Sequence, residues 1–211
     1  MTTILLIRHA VTDTTGKLLT GWTKGIHLNG KGRLQAESLV QRLDKAPLRA
    51  IYASPLERTL ETARPLARAK KLSVIGRPAL GDIKPGQWTG KSLKALKRNK
   101  QWPVVQHSPS LWRFPGGESF PEMQARLVAE VEALRSRHPK DVIACFSHAD
   151  CIKLLVAHYL GLPLDLFQRL EISPASVTAL AIREGSARLL RLNDTGPLEF
   201  GDSSRRPIGR S

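Results

Sequence analysis

The chain has 211 residues, long enough for one sizeable domain with a buried core. Hydrophobic residues make up 41% and charged residues 24%, a soluble globular balance that excludes a membrane-spanning or low-complexity protein. The 33 Lys plus Arg against 18 Asp plus Glu give a formal charge of +15, which attracts anions in general, but aromatics at 5% offer no stacking platform for specific nucleic-acid recognition.

The first element is an apolar run, Thr3-Ile4-Leu5-Leu6-Ile7, that ends in Arg8-His9. It is short, bounded by polar residues and rich in Ile and Leu, which reads as a strand buried on both faces. No charged leader or cleavage site precedes it, so a cytoplasmic protein without a membrane segment is expected. A Gly/Thr-rich loop over residues 10–30 follows. Asn29 then offers the N-cap of a helix with Leu34, Leu39, Val40 and Leu43 on one stripe. Arg49 to Ala53 reads as the second strand. Ser54-Pro55 supplies a capping residue and a first-position proline for a helix whose apolar face is Leu60, Ala63, Leu66 and Ala67. A third strand is expected near Leu72 to Ile75.

Residues 78–117 lack a clean period and are broken by Pro78, Pro85, Pro103, Pro109 and Pro115. They read as a small inserted cap with one short basic helix around Ser92 to Asn99. Glu118 to His138 is the longest predicted helix, with Phe120, Met123, Leu127, Val131 and Leu134 at spacings of three and four. A strand from Val142 to Ser147 runs into His148, and a helix with Ile152, Leu155, Val156 and Tyr159 follows. Val177 to Arg183 and Arg188 to Leu192 form a predicted hairpin about Glu184-Gly185-Ser186. The Gly/Ser/Pro/Arg-rich segment 195–211 reads as a flexible C-terminal tail. The alternation predicts a single domain over residues 1–194: a three-layer α/β/α sandwich with a mainly parallel mixed sheet and the inserted cap.

The chemistry is expected where two strands end in the same way, in Arg8-His9 and in Ser147-His148. Reactive groups in open α/β sheets gather beyond the carboxyl ends of the strands, and two histidines delivered there could share one pocket. A neutral imidazole accepts a phosphoryl group; a charged one binds phosphate. Arg58 falls in the first turn of the helix begun at Ser54-Pro55, where backbone N–H groups would add to its charge. Asp82 could protonate a leaving alkoxide, or be no more than a turn cap. His27, His107, His138 and His158 sit in no such context. Lys91, Lys94, Lys97, Arg98 and Lys100 form either a solvated face of the cap or a reader of a second anionic group. Trp22 and Trp88 flank these segments and are equally well explained by core packing. Cys145 and Cys151 match neither a disulfide framework nor a metal cluster, and neither is followed six residues later by the arginine of a cysteine phosphatase.

Taken together, these residues resemble the histidine phosphatase (phosphoglycerate mutase-like) superfamily. Its opening Arg-His-Gly-Glu-Thr, with Asn two residues on, corresponds to Arg8-His9-Ala10-Val11-Thr12 and Thr15. Its Ser-Pro-Leu-x-Arg-x-x-x-Thr-Ala corresponds to Ser54 to Ala63, and its Leu-x-Glu-x-x-x-Gly-x-Trp-x-Gly to Leu80 through Gly90. Pro-x-Gly-Glu-Ser is present as Pro115 to Ser119, and Val-Ser-His-Gly-Gly as Phe146 to Asp150. Each motif is weak alone; the ordered set over residues 4–155 is specific. The chain departs from the pattern at Asp82 in place of Glu, Thr15 in place of Asn, and Ala10 and Ala149 in place of glycines.

The resemblance implies two-step phosphoryl transfer with His9 as nucleophile, Arg8, Arg58 and a protonated His148 holding the phosphoryl oxygens, and Asp82 as acid and then base. It implies Arg8, Thr15, Gly21, Arg58, His148 and Ala149 as substrate-binding positions, and no metal or other cofactor. The expected partner is a small phosphorylated metabolite, with neither membrane nor specific nucleic acid; a symmetric homodimer is a common assembly for a domain of this size. A phosphatase of a small phosphate monoester fits best. A cofactor-dependent phosphoglycerate mutase and a basic phosphate-binding protein with little turnover remain the alternatives.

Overall fold

The first strand, β1 (Thr2–Arg8), buries Ile4, Leu5, Leu6 and Ile7 on both faces, as a strand inside a sheet covered on two sides must. The computed structural model describes residues 1–196. In chain order the remaining elements are α1 (Gly30–Arg42), β2 (Leu48–Ala53), α2 (Glu57–Lys70), β3 (Val74–Gly76), α3 (Leu93–Leu96), α4 (Trp102–His107), α5 (Phe120–Arg137), β4 (Val142–Ser147), α6 (Ala149–Leu160), β5 (Val177–Arg183) and β6 (Ser186–Asp194), with short 3-10 turns between some of them.

The sheet order is β3-β2-β4-β1-β5-β6. Strands β1, β2, β3 and β4 run parallel, while β5 pairs antiparallel with both β1 and β6. This is the predicted mainly parallel mixed sheet with helices on both faces. Alternation along β1 divides the core in two. Ile4 and Leu6 pack with Met123, Leu127 and Val131 of α5 and Leu155 of α6, whereas Leu5 and Ile7 pack with Leu39 and Leu43 on the α1 side and Leu66 of α2.

One register positions the site. In the β1–β4 pair Arg8 lies opposite Ser147, so the next residues, His9 and His148, leave the sheet side by side at its carboxyl edge. The His9 N–H donates to the Ser147 carbonyl at 2.9 Å, and the Ser54 N–H beyond β2 donates to the Phe146 carbonyl at 2.9 Å. Three strand ends therefore converge on one point, at which β4 lies between β1 and β2.

Local differences from the sequence reading have physical causes. Asn29 caps α1 as expected, its side chain accepting from the Gly32 N–H at 2.9 Å. The buried stripe, however, is Gly32, Ala36 and Leu39, and Leu34 is 74% exposed. Gly32 sets that face: a Cβ there would lie 2.0 Å from the Val11 carbonyl oxygen. Helix α2 starts at Glu57 rather than at Ser54-Pro55, because the Ser54 hydroxyl faces His148 instead of capping a helix. Helix α5 starts at Phe120, behind a capping box of Ser119 and Glu122, and Glu118 is left outside it. Strand β3 is shorter than predicted and β6 longer. The cap contains a second helix, α4, that its irregular sequence concealed, and Trp88 stacks there on Trp102 and meets Trp112 at a tilt and Phe114 edge-on. The predicted tail lies, from residue 197 on, outside the described residues.

Candidate active site

His9 and His148 face each other with ring centroids 5.3 Å apart, at the floor of a cavity of about 220 Å³. Arg8, Thr15, Arg58, Asp82 and Ala149 line the same cavity. All the expected site residues except Gly21 thus meet in one place.

The Nδ1–H of His9 donates to the Ala10 carbonyl at 2.8 Å, which leaves Nε2 as the unprotonated ring nitrogen. Burial, reinforced by the Arg58 and Arg8 charges, pushes the His9 pKa down to about 3, so the ring stays neutral at physiological pH. Ala10 is tied in turn: its N–H donates to the Thr62 hydroxyl at 3.0 Å, and Thr62 donates to the Arg58 carbonyl at 2.6 Å.

Arg58 is a buried guanidinium, 1% exposed. Its Nη2 donates to the Gly21 carbonyl at 2.8 Å, to Asp82 Oδ2 at 3.1 Å and to His148 Nδ1 at 3.3 Å. Its Nε and Nη1 are buried without a partner among the described residues, and so is Nε of Arg8, whose Nη1 donates to the Ile172 carbonyl at 2.7 Å. A buried donor without an acceptor is costly, and a charged one more so. These N–H groups are therefore arranged for an anion.

An arginine only donates, so His148 Nδ1 accepts from Arg58 and its Nε2–H donates to the Ser54 hydroxyl at 3.0 Å. Burial first, then the charges of Arg58, His9 and Arg8, hold the His148 pKa well below its ordinary value. The protonated His148 that the resemblance implied is thus disfavoured in this structure, because the ring is buried and two arginines face it with only the Asp82 carboxyl beside them.

Asp82 shows the opposite shift. Burial raises its pKa to about 6, against the lowering pull of Arg58 and with help from the Asp150 charge. Its Oδ1 accepts the Ile83 N–H at 2.9 Å, and Oδ2 lies 3.6 Å from His148 Nδ1. The loop that carries it is pinned from several sides. Arg126 Nη1 donates to the carbonyls of Ala79 at 2.8 Å and Gly81 at 2.9 Å, and its Nη2 to that of Asp82 at 2.9 Å. Glu118 holds Arg126 through both carboxylate oxygens, at 2.7 and 3.0 Å. Trp22 Nε1 donates to the Asp82 carbonyl at 2.6 Å, and the Ser147 hydroxyl to that of Leu80 at 2.7 Å. Such a support fixes a side chain whose reach is one methylene shorter than that of Glu.

Gly21 stands behind the cavity, not in it. Its φ of +48° and its closeness to Pro85, where a Cβ would meet Cδ at 2.4 Å, turn its carbonyl onto Arg58. Thr15 lines the cavity, and its hydroxyl accepts the Thr12 N–H at 2.9 Å. Ser54, Thr62, Glu118, Arg126 and Asp150 escaped the sequence reading. Ser54, Thr62, Glu118 and Asp150 lay inside the quoted motifs and could have been marked there, whereas Arg126 is one of several charges along a long helix. A larger groove of about 610 Å³ between α1 and α2 contains His27 but neither His9 nor His148. Among the described residues, no group of three or more His, Cys, Asp or Glu side chains is placed to hold a metal ion, and no helix is long and apolar enough to cross a membrane.

A mixed sheet that presents a neutral imidazole, unpartnered buried guanidinium donors and an acid of raised pKa at the ends of its strands defines a phosphatase-type hydrolase. The chain belongs to the histidine phosphatase superfamily (branch 1), whose family model matches residues 4–195. It is 29% identical over 203 residues to phosphoserine phosphatase 1 of Hydrogenobacter thermophilus, covering 92% of this chain and 93% of that one. Among solved structures, Bacillus stearothermophilus YhfR superposes with a TM-score of 0.87 at 27% identity, covering 94% of this chain and all (100%) of the other. The mycobacterial glucosyl-3-phosphoglycerate phosphatase Rv2419c, solved with VO3, superposes with a TM-score of 0.83 at 26% identity, covering 91% and 98%.

Proposed function

We propose that the chain hydrolyses a small phosphate monoester without a metal ion, through a phosphohistidine on His9. The observation that carries this reading is the neutral His9 Nε2 beside buried Arg58 and Arg8 donors that have no partner among the described residues. A phosphoryl group bound there satisfies those donors, and its negative charge lifts the pKa of His148, which then adds a further donor.

His9 Nε2 attacks phosphorus as the P–O bond to the alcohol breaks, and protonated Asp82 gives its proton to the departing oxygen. Water then attacks the phosphohistidine, Asp82 takes one of its protons, and the P–N bond breaks to release phosphate and restore neutral His9. Arg8, Arg58 and the charged His148 hold the equatorial oxygens throughout, the part that a divalent cation plays elsewhere. The relatives named for phosphoserine and for glucosyl-3-phosphoglycerate support a small ester as substrate. The free, buried thiols of Cys145 and Cys151 are consistent with a reducing, cytoplasmic setting.

The pH profile tests this assignment. Asp82 acts in its protonated form, so turnover of an alkyl phosphate is expected to fall as pH rises through about 6. Turnover of p-nitrophenyl phosphate, whose leaving group needs no proton, should fall much less. Asp82→Asn should abolish that difference between the two esters, and the contrast with wild type cancels the ionisation of the substrate itself. Identical profiles for both esters in wild type would remove Asp82 from the role.

A further inference from the structure

The groove of about 610 Å³ between α1 and α2 shares no lining residue with the catalytic cavity. Its volume is that of a small-molecule pocket. Along α2 and its C-cap it runs from Glu61 to Lys71, roughly 15 Å at the rise of a helix. Leu28, Ala36, Pro65, Leu72 and Val74 give it an aliphatic floor. Among the described residues no Trp, Tyr or Phe lines it, so it offers no such face for a nucleotide base to stack on.

The rim is charged, and one sign prevails. Arg33, Arg64, Arg68 and Lys71 stand there against Glu37 and Glu61. Both carboxylates are engaged: Glu61 accepts the Leu28 N–H at 2.9 Å and pairs with His27 Nδ1 at 2.6 Å, while Glu37 lies 3.5 Å from Arg68. Arg33 donates to the Leu28 carbonyl at 3.0 Å. The side chains of Arg64 and Lys71 are exposed and have no hydrogen-bond or ion-pair partner among the described residues. Lys71 also ends α2 with φ +54°, a position where glycine is the usual residue. A lysine there brings an ammonium to the end of an apolar trough. The uncommitted charges of the rim are thus positive, and the floor below them is aliphatic, which matches an anion with an aliphatic body.

We propose that this groove binds a free, small amphipathic anion: an aliphatic chain of medium length that ends in a carboxylate. Arg64 and Lys71 take the headgroup, and the floor from Leu28 to Val74 takes the chain. The recess between two helices suits a single chain better than a bilayer surface. This site adds to the phosphatase reading and does not depend on it.

Titration of octanoate into the isotope-labelled full-length chain, followed by backbone amide chemical shifts, is the test. Saturable shifts are expected at Leu28, Ala36, Ala67 and Leu72, with none at His9 or His148. Octylammonium keeps the chain without the negative charge, and acetate the charge without the chain; each should bind at least roughly tenfold more weakly. The double variant Arg64→Glu with Lys71→Glu should weaken octanoate at least roughly tenfold, the scale of a lost charged hydrogen bond. Its amide spectrum should otherwise match wild type, and its turnover of p-nitrophenyl phosphate should be unchanged. If the double variant folds poorly, Arg64→Gln alone should still weaken octanoate several-fold. Octylammonium that binds as tightly as octanoate, shifts centred on the catalytic cavity, or variants that keep wild-type affinity would overturn the proposal. So would the absence of saturable binding, including a groove taken instead by a second copy of the chain or by anionic vesicles.

Discussion

Replacement of His9 by alanine is expected to remove phosphatase turnover by roughly 10³–10⁶-fold, the range seen when a nucleophile that works as part of a unit is deleted. The second imidazole of the pocket is not placed to substitute for it: His148 Nε2 is committed to Ser54, and its Nδ1 faces Arg58 and Asp82. The fold should survive. Among the described residues the His9 side chain makes one hydrogen bond, to the carbonyl of its own neighbour Ala10, and the backbone pairing of β1 with β4 does not involve the ring. Circular dichroism should therefore match wild type, and the variant should still bind inorganic phosphate, since the arginine donors remain. A variant with more than about a tenth of wild-type turnover, well beyond the residual rate of nucleophile deletions, would mean that another atom attacks phosphorus.

The second large effect is expected at Arg58. It alone touches the phosphoryl site, Asp82, His148 and the Gly21 carbonyl. Arg58→Gln removes a preorganised charged donor, so kcat/KM for an alkyl phosphate should fall roughly 10²–10³-fold or more, the usual cost of one such group. It should also move the pH profile. Arg58 is the strongest influence holding the Asp82 pKa down, against burial that raises it to about 6. Without that charge the carboxyl holds its proton to higher pH, and the falling limb of the profile should move upward. The linkage has a matching sign in stability. A carboxyl whose folded pKa exceeds its unfolded value contributes most below the unfolded pKa, and that contribution is lost as pH rises through about 6. Burying His9 as a neutral ring acts the other way, because stability is lost as pH falls below the ordinary histidine value towards about 3. A limb that stays in place, or moves down, in Arg58→Gln would contradict the Asp82–Arg58 coupling.

Much of this arrangement was legible in the sequence because strands buried on both faces announce themselves as unbroken apolar runs. Thr3 to Arg8 and Val142 to Ser147 marked where the sheet would deliver side chains, and the residues just after them are His9 and His148. Asn29 was readable as a cap for the same local reason. What the sequence concealed depends on distant partners. Ser54-Pro55 has the composition of a helix start, but the hydroxyl is held by a histidine 94 positions away in the chain. Leu34 sat at an apolar spacing, yet the close approach of the Val11 carbonyl to Gly32 turned the helix so that this side chain faces out. Arg126 gave no signal, because its three carbonyl partners lie in a loop of irregular sequence. The shift of Asp82 was likewise invisible, since burial and a guanidinium compete there and only the three-dimensional arrangement decides between them.

The central claim is that the phosphoryl group passes through His9. Rapid quenching of wild type during turnover of a phosphorus-labelled monoester, with EDTA present and under alkaline conditions that preserve a phosphoramidate, tests it directly. Labelled phosphohistidine mapped to the His9 peptide, and absent from His9→Ala, is the predicted result. Steady turnover with no label on His9, or with the label on another residue, would contradict it.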